Sequence, residues 1–295
     1  MKQAFILGAG LGTRLRPLTD HLPKPLVPLF HRPLAEWALD ACKKEGIHRF
    51  AINTHHLPEA WENFSKESDI TLFHEPVLLE TGGGLKNIES WAEGEPLLVH
   101  NGDIFSSLSL RKLIVAHQAS GLPVTLAVRS VGTARHIALN HIEDRVTDIR
   151  GKLGKSDGTH VFTGIYCVDK VFLEMLPKDE KVSVIPAFLQ LAKEGKLGAI
   201  VIDGGVWLDL GERESYLAAH RDLNLGPAIH PDAVIGDGAV VDGSVIGPGA
   251  VIEAGARVID SVVWANARIT AGANLVRCIV CSSEPVAGRH ENEDL

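Results

Sequence analysis

Ala4-Phe5-Ile6-Leu7-Gly8-Ala9-Gly10-Leu11-Gly12-Thr13-Arg14-Leu15-Arg16-Pro17-Leu18-Thr19, followed by Pro23-Lys24-Pro25-Leu26, is the stretch that decides how this chain is read. The four apolar residues before Gly8 read as a short buried strand. Three glycines in the five residues Gly8–Gly12 let the backbone approach a ligand closely and turn its N–H groups toward one point, an anion-binding nest. Arg14 and Arg16 add fixed positive charge, and Lys24 adds a point charge held between two prolines. Up to residue 32 the chain carries Lys2, Arg14, Arg16, Lys24 and Arg32 against the single acid Asp20, although its net charge over 295 residues is -8. A local basic, glycine-rich pocket in an acidic protein reads as a phosphate site and not as a nucleic-acid surface. Gly8-x-Gly10-x-Gly12 lacks the third glycine spacing of the dinucleotide fingerprint, and Lys24 stands too far along for a Walker A loop. Taken alone, the glycines also fit a simple turn after a strand.

The length leaves room for one large domain and a smaller one. No apolar run approaches the ~20 residues of a membrane span, and the N-terminal apolar patch, which ends at glycine without a small-residue cleavage site, does not read as a signal peptide. The negative net charge argues against nucleic acid and anionic membrane as partners. Cys42, Cys167, Cys278 and Cys281 are scattered; they make no disulfide framework, and a cytoplasmic location is expected. Cys278-x-x-Cys281 has no second pair and reads as structural. His55, His56, His136 and His141 fall on no ligand spacing with cysteines or carboxylates.

Two periodicities divide the chain. From residue 1 to 225, short β-rich runs alternate with amphipathic runs, the mark of an α/β fold with a mixed, mainly parallel sheet. Further strands are expected at Arg49–Thr54, Ile70–His74, Pro96–His100 and Pro123–Val128, and antiparallel strands within His136–Val168 around a turn-rich loop at Gly151–Gly158. Helices are expected near Pro33–Glu45, Pro58–Ser65, Gly84–Trp91, Leu108–Ala119, Val184–Glu194 and Glu212–Asn224. From 226 to 281 the pattern changes: Ile229, Ile235, Val241, Ile246, Ile252, Val258, Val263, Ile269, Leu275 and Val280 are spaced six, six, five, repeated, so equivalent positions lie 17 apart. Ser244, Ser261 and Cys278 fill one small-residue column. Such a repeat fits a three-sided β-helix of hexapeptide type, whose coils bury their apolar column only against neighbours. Those coils are expected to contact another subunit or to pack back on the larger part. Residues 282–295 are mainly polar, their charges mostly acidic, and are expected to be disordered.

Two carboxylates stand in motif-like settings. Leu97-Leu98-Val99-His100-Asn101-Gly102-Asp103 places Asp103 at the carboxyl edge of a sheet, where ligands of open α/β sheets bind. Val206-Trp207-Leu208-Asp209-Leu210-Gly211 offers Asp209 just before a helix. With the opening Gly-rich stretch and its PKP element, these NGD and WxDxG elements resemble the signature of the sugar-1-phosphate nucleotidylyltransferases. The resemblance implies a Rossmann-like nucleotidyltransferase domain followed by a short left-handed β-helix. It implies attack of a sugar phosphate oxygen on the α-phosphorus of a nucleoside triphosphate, with pyrophosphate leaving and no protein nucleophile. Arg14 would grip the β- and γ-phosphates, Lys24 would neutralise charge at the α-phosphate, and Asp103 with Asp209 would hold Mg2+. Leu7, Gly8, Ala9, Gly10, Gly12 and Thr13 would line the nucleotide, Glu80, Thr81, Gly82 and Gly83 would contact its base, and Asn101 and Gly164 would face the sugar.

Within the family, Glu80-Thr81-Gly82-Gly83-Gly84 and the motif spacing look most like N-acetylmuramate 1-phosphate uridylyltransferases, with UTP as the nucleotide, over residues 1–224. The β-helix is more usual in mannose-1-phosphate guanylyltransferases, so a mannose- or heptose-1-phosphate guanylyltransferase is the alternative. A non-catalytic subunit that binds a nucleotide sugar is another, as is a bifunctional enzyme with an acyltransferase β-helix. The chain departs from the wider pattern in three places: Gly8 stands where Ala is usual, Glu212 where Thr often follows, and the Glu-Lys-Pro element is missing, with Lys152 or Lys155 as candidates to replace it.

Overall fold

The computed structural model describes residues 1–68 and 70–295, with only the backbone described at 67 and 68. By contact density the chain divides into two units, Met1–Leu11 with Ala35–Trp207, and Gly12–Leu34 with Leu208–Leu295.

The first unit is built on a mixed sheet. Its spine runs Val146–Ile149, Arg135–Leu139, His160–Val168, Leu97–Asn101, Gln3–Leu7, Arg49–Thr54, Ile70–His74, with Val124–Arg129 and Leu197–Val201 continuing beside His160–Val168. Gln3–Leu7 is parallel to both of its neighbours, and His160–Val168 is antiparallel to Leu97–Asn101. The central strands are apolar on both faces because both are covered. Phe5, Val99, Leu126 and Tyr166 sit in one core with Leu85, Phe172 and Phe188 of the covering helices. Leu7 pairs with Asn53 on one side and Asn101 on the other, so the carboxyl ends of these parallel strands finish together. Expected strand and helix positions recur within one to three residues, except at Gly84–Trp91. There the chain forms two helices, Glu80–Asn87 and Glu89–Ala92, the first beginning four residues earlier than expected, so Gly82 and Gly83 are already helical.

In the second unit, strands of two or three residues stack with the 17-residue register seen in the sequence. Val234–Ile235, Val251–Ile252 and Arg268–Ile269 form one sheet, and Val245–Ile246, Val262–Val263 and Ile279–Val280 form another. The third sheet holds Val240–Asp242, Arg257–Ile259, Asn274–Val276 and Arg289–Glu291. Ile246, Ile252, Val258, Val263, Ile269, Leu275 and Val280 fill the interior. Ser244 accepts from Ser261 N and Ser261 from Cys278 N, both at 2.9 Å. This ladder makes Cys278 a buried packing residue, its thiol shifted above its ordinary range by that burial.

Residues 282–295 are ordered, contrary to the expectation from their polarity. Arg289–Glu291 adds to a sheet, Val286 pairs with Ile269 and Asp294 with Ile279. Arg213 Nε donates to Asp294 Oδ1 at 2.8 Å. Main-chain bonding to the open edge of the last coil supplies the order that apolar content does not.

The β-helix also packs on earlier parts of its own unit. Val262, Trp264 and Ile279 share a buried cluster with Leu15, Leu18, Val27, Tyr216 and Leu217. No described helix is long and apolar enough to cross a membrane.

Candidate active site

In the first unit, the predicted residues that follow parallel strands lie along one edge of the sheet. Gly8 leaves Gln3–Leu7, and its N–H donates to Asn53 Oδ1 at 2.8 Å. That N–H is therefore not part of an anion nest. A Cβ on Gly8 would meet Asn53 O at 2.8 Å, Ile52 Cγ2 at 2.8 Å and Trp61 Cη2 at 2.9 Å. The indole of Trp61, fully buried, occupies the room a side chain at 8 would need, and this accounts for glycine there. Ala9 is buried and Gly10 exposed.

Asn101-Gly102-Asp103 leaves the neighbouring strand, with Gly102 N bonded to Leu7 O at 2.9 Å. His100 beneath it is buried, and its Nδ1–H donates to the Asn101 carbonyl at 2.7 Å. Burial lowers the His100 pKa to about 4, so the ring is neutral near pH 7 and holds that carbonyl as a donor. Gly164 faces Asn101 from the antiparallel strand at φ +72, where a Cβ would meet Asn101 Nδ2 and Ile104 Cδ1 at 2.7 Å. The pairing of its strand with Val124–Arg129 slips between Phe162 and Tyr166, so Gly164 sits in a bulge. Trp207 Nε1 donates to the Thr163 carbonyl at 2.8 Å.

The loop from Glu75 to Leu79, which leads into the Glu80–Asn87 helix, is held by a buried polar chain that the sequence reading missed. Asn53 Nδ2 donates to Glu75 Oε1 at 2.7 Å, and Glu75 Oε2 accepts from Leu79 N at 2.9 Å. With the Gly8 bond, one side-chain pair fixes both the end of the first strand and the start of the Glu80 helix. The only signal was a polar residue at the end of an apolar strand, Ile52-Asn53-Thr54. Of the four residues predicted to contact a base, Glu80 is exposed at φ 62. The Thr81 hydroxyl accepts from Val184 N at 3.0 Å, and Gly82 N and Gly83 N both donate to Val182 O. Their glycines serve close packing: a Cβ at 82 would lie 2.8 Å from Val182 O, and one at 84 would lie 2.7 Å from Asn53 Nδ2.

In the second unit the charged residues converge. Gly12 adopts φ 62, caps the short turn Thr13–Leu15, and accepts the Thr19 hydroxyl at 2.9 Å. A Cβ there would come within 2.7 Å of Thr19 Cγ2 and 3.2 Å of Lys24 Cβ, so position 12 excludes side chains on both counts. Thr13 is exposed at the start of that turn. Lys24 is buried, its Nζ 3.6 Å from Asp209 Oδ1, while Arg14 Nη2 lies 4.0 Å from Asp209 Oδ2. Arg14 Nη1 also meets Glu212 Oε1 at 3.1 Å. Glu212 caps the Arg213–Asp222 helix through a reciprocal bond with Ser215, which gives a local reason for an acid at this position. Gly211 lets the Arg14 guanidinium lie against the backbone, since a Cβ would meet Arg14 Nη2 at 2.7 Å. The result is two fixed cations around one half-exposed carboxylate, an arrangement suited to polyanions.

Among the described residues, no group of three or more His, Cys, Asp or Glu comes together to hold a metal. Magnesium does not require one, because it commonly keeps waters and takes one or two carboxylates plus substrate phosphates. Asp103, in the first unit, and Asp209, in the second, are each hard-oxygen carboxylates of the kind magnesium takes.

The chain belongs to the nucleotidyl transferase family, whose model matches residues 3–225, and a GlmU-like C-terminal hexapeptide model matches residues 223–289. Its relatives are sugar-1-phosphate nucleotidyltransferases. It is 29% identical over 267 residues to a mannose-1-phosphate guanylyltransferase of Mycobacterium tuberculosis, covering 83% of this chain and 74% of that protein. It is 27% identical to the D-glycero-alpha-D-manno-heptose 1-phosphate guanylyltransferase of Aneurinibacillus thermoaerophilus, covering 75% of this chain and 98% of that one. The fold matches the crystal structure of HddC from Yersinia pseudotuberculosis with a TM-score of 0.62 at 22% identity, over 74% of this chain and 98% of that chain.

Proposed function

We propose that this chain transfers a guanylyl group from GTP to a mannose- or heptose-type sugar 1-phosphate, releasing pyrophosphate. The observation that carries the transfer is the buried Lys24 beside Asp209 with Arg14 on the same carboxylate. The sugar phosphate oxygen is anionic near pH 7, so it needs no general base; what the reaction needs is charge neutralisation and alignment of two anions. Arg14 binds the β- and γ-phosphates and gives up its contact with Glu212 as they arrive. Lys24 holds positive charge at the α-phosphate, where charge concentrates in the transition state. Asp103 and Asp209 are the carboxylates offered to magnesium, which when bound supplies Lewis-acid polarisation of the phosphates. Asn101 and Gly164, locked together on the sheet edge, face the sugar. The guanylyl preference is supported by the guanylyltransferases among the relatives.

A second reading, uridylyl transfer from UTP to N-acetylmuramate 1-phosphate, is supported by Glu80-Thr81-Gly82-Gly83-Gly84. Competition between GTP and UTP at equal concentration, across a panel of sugar 1-phosphates with pyrophosphate release as the signal, decides between them. Preferred turnover of UTP with the N-acetylmuramyl substrate overturns the first reading. We also propose a cytoplasmic homo-oligomer formed through the β-helix, whose first coil leaves Ile229, Val234, Ile235 and Val240 exposed. A monomeric mass by light scattering contradicts it.

A further inference from the structure

We infer that the β-helix is a positioning element of the reactive segment, acting through Trp264 and Tyr216 on Arg14 and Lys24. The inference rests on the proposed reading in which those two cations act on the triphosphate.

Residues 12–34 carry the two cations but have little secondary structure of their own. They form the three-residue turns Thr13–Leu15 and Lys24–Leu26, the single-turn helix Leu18–His21, and the two-residue strands Pro28–Leu29 and Arg32–Pro33. A segment so short of ladder hydrogen bonds takes its geometry from side-chain packing. That packing comes from residues more than 180 positions away in sequence. Leu15, adjacent to Arg14, and Val27, three residues after Lys24, are both 2% exposed. They rest in one cluster with Tyr216 and Leu217 of the Arg213 helix and with Val262, Trp264 and Ile279 of the coils.

A directed hydrogen-bond chain runs through the same cluster. Trp264 Nε1 donates to the Tyr216 hydroxyl at 3.1 Å, and that hydroxyl donates to the Pro28 carbonyl at 2.6 Å. An indole N–H can only donate, so the direction of the chain is fixed and the hydroxyl spends its one proton on Pro28. On the same turn of helix, His220 Nδ1–H donates to Tyr216 O at 2.9 Å, which leaves Nε2 to accept from Phe30 N at 3.0 Å. Leu15, Lys24, Val27 and Tyr216 line one space too small for a water. Lys24 and Tyr216 thus border the same small space, walled by Leu15 and Val27. The coils set where Tyr216 stands, Tyr216 sets where Pro28 and Val27 stand, and these set the path of the Lys24 side chain toward Asp209.

A purely structural role for Trp264 and Tyr216 lowers stability without singling out Lys24. A positioning role makes the Tyr216 effect depend on Lys24 being present. The test is a double-mutant cycle on the full chain: Tyr216→Phe, Lys24→Ala and the double variant, with kcat and KM for the triphosphate and a melting curve for each. Displacement of a catalytic cation by a fraction of an ångström predicts that Tyr216→Phe lowers kcat about 10-fold with KM changed less than about 3-fold. In the Lys24→Ala background the same change costs less than about 2-fold. Trp264→Phe, which keeps an aromatic ring but loses the N–H and part of the indole bulk, gives a kcat loss of the same pattern, again dependent on Lys24, and serves if Tyr216→Phe does not fold. An equal fold-loss from Tyr216→Phe in both backgrounds overturns the inference, as does a lowered melting temperature with kcat unchanged in both single variants. Wild-type turnover of Lys24→Ala is a different failure: it removes the proposed role of Lys24 itself and this inference with it.

Discussion

Replacing Asn53 by Asp puts a carboxylate where a carboxamide now donates to Glu75. The two side chains are 2% and 1% exposed, and Nδ2 lies 2.7 Å from Oε1. Losing a buried hydrogen bond to a charged acceptor costs about 1.5–3 kcal/mol. Two unit charges in contact add up to about 4 kcal/mol at an effective dielectric of about 20. The expected loss is about 3–5 kcal/mol, or about 6–20 °C in melting temperature for a unit of this size. Glu75→Gln alone leaves one carbonyl oxygen to serve two donors, Asn53 Nδ2 and Leu79 N, and costs about 1–3 kcal/mol. The double variant exchanges the roles. One aspartate oxygen accepts from Gly8 N, the other accepts from the glutamine amide, and the glutamine carbonyl accepts from Leu79 N. Every donor is satisfied and the net charge is that of the parent, so its melting temperature returns to within about 3 °C of the parent. Melting curves of the four proteins at pH 8, followed by KM for the triphosphate, make the assay. Losses that add in the double variant refute the account of the strand end and the base loop as one bonded unit.

Three further outcomes follow from the same geometry. Lys24→Ala lowers kcat much more than it raises KM for the nucleotide, because its charge acts where the transition state concentrates negative charge; a raised KM at unchanged kcat makes it a binding residue only. Burial lowers the His220 pKa to about 4 from the ordinary 6.5, so between those values the unfolded chain binds the extra proton. The His220 contribution is then level above about pH 6.5 and falls by about 1.4 kcal/mol per pH unit below it; His100 adds a contribution of the same sign, and His220→Leu makes the profile shallower, read from urea midpoints between pH 5 and 8. Gly8→Ala forces a Cβ to within 2.8 Å of the Asn53 carbonyl and 2.9 Å of Trp61, an overpacking cost of about 1–3 kcal/mol that calorimetry would detect.

What the sequence made legible was set by local signals. Ala4–Leu7 and Leu97–His100 are apolar runs ended by glycine or Asn-Gly, so the strands and the edge they share could be read directly. The spacing from Ile229 to Val280 carried the β-helix, including the column of Ser244, Ser261 and Cys278. The glycines were legible as necessary but not for the right reason. Gly82 and Gly83 spend their N–H groups on Val182, and Gly8 spends its own on Asn53, partners that only the folded chain brings near. The tail at 282–295 looked disordered because its order comes from main-chain pairing and the Arg213–Asp294 bond, neither of which composition registers. The packing of Leu15 and Val27 on Trp264 was invisible because three or four apolar residues in a proline-rich segment have no period.

The most direct test of the proposed reaction is pyrophosphate release by the purified chain with magnesium, a nucleoside triphosphate and a sugar 1-phosphate, compared with Asp103→Ala and Asp209→Ala. The account predicts release only when both substrates and the metal are present, with a nucleoside diphosphate sugar as the co-product and turnover lowered by about 10²-fold or more in each variant. Release from the triphosphate alone, full activity in a chelator, or wild-type turnover in both variants would contradict it.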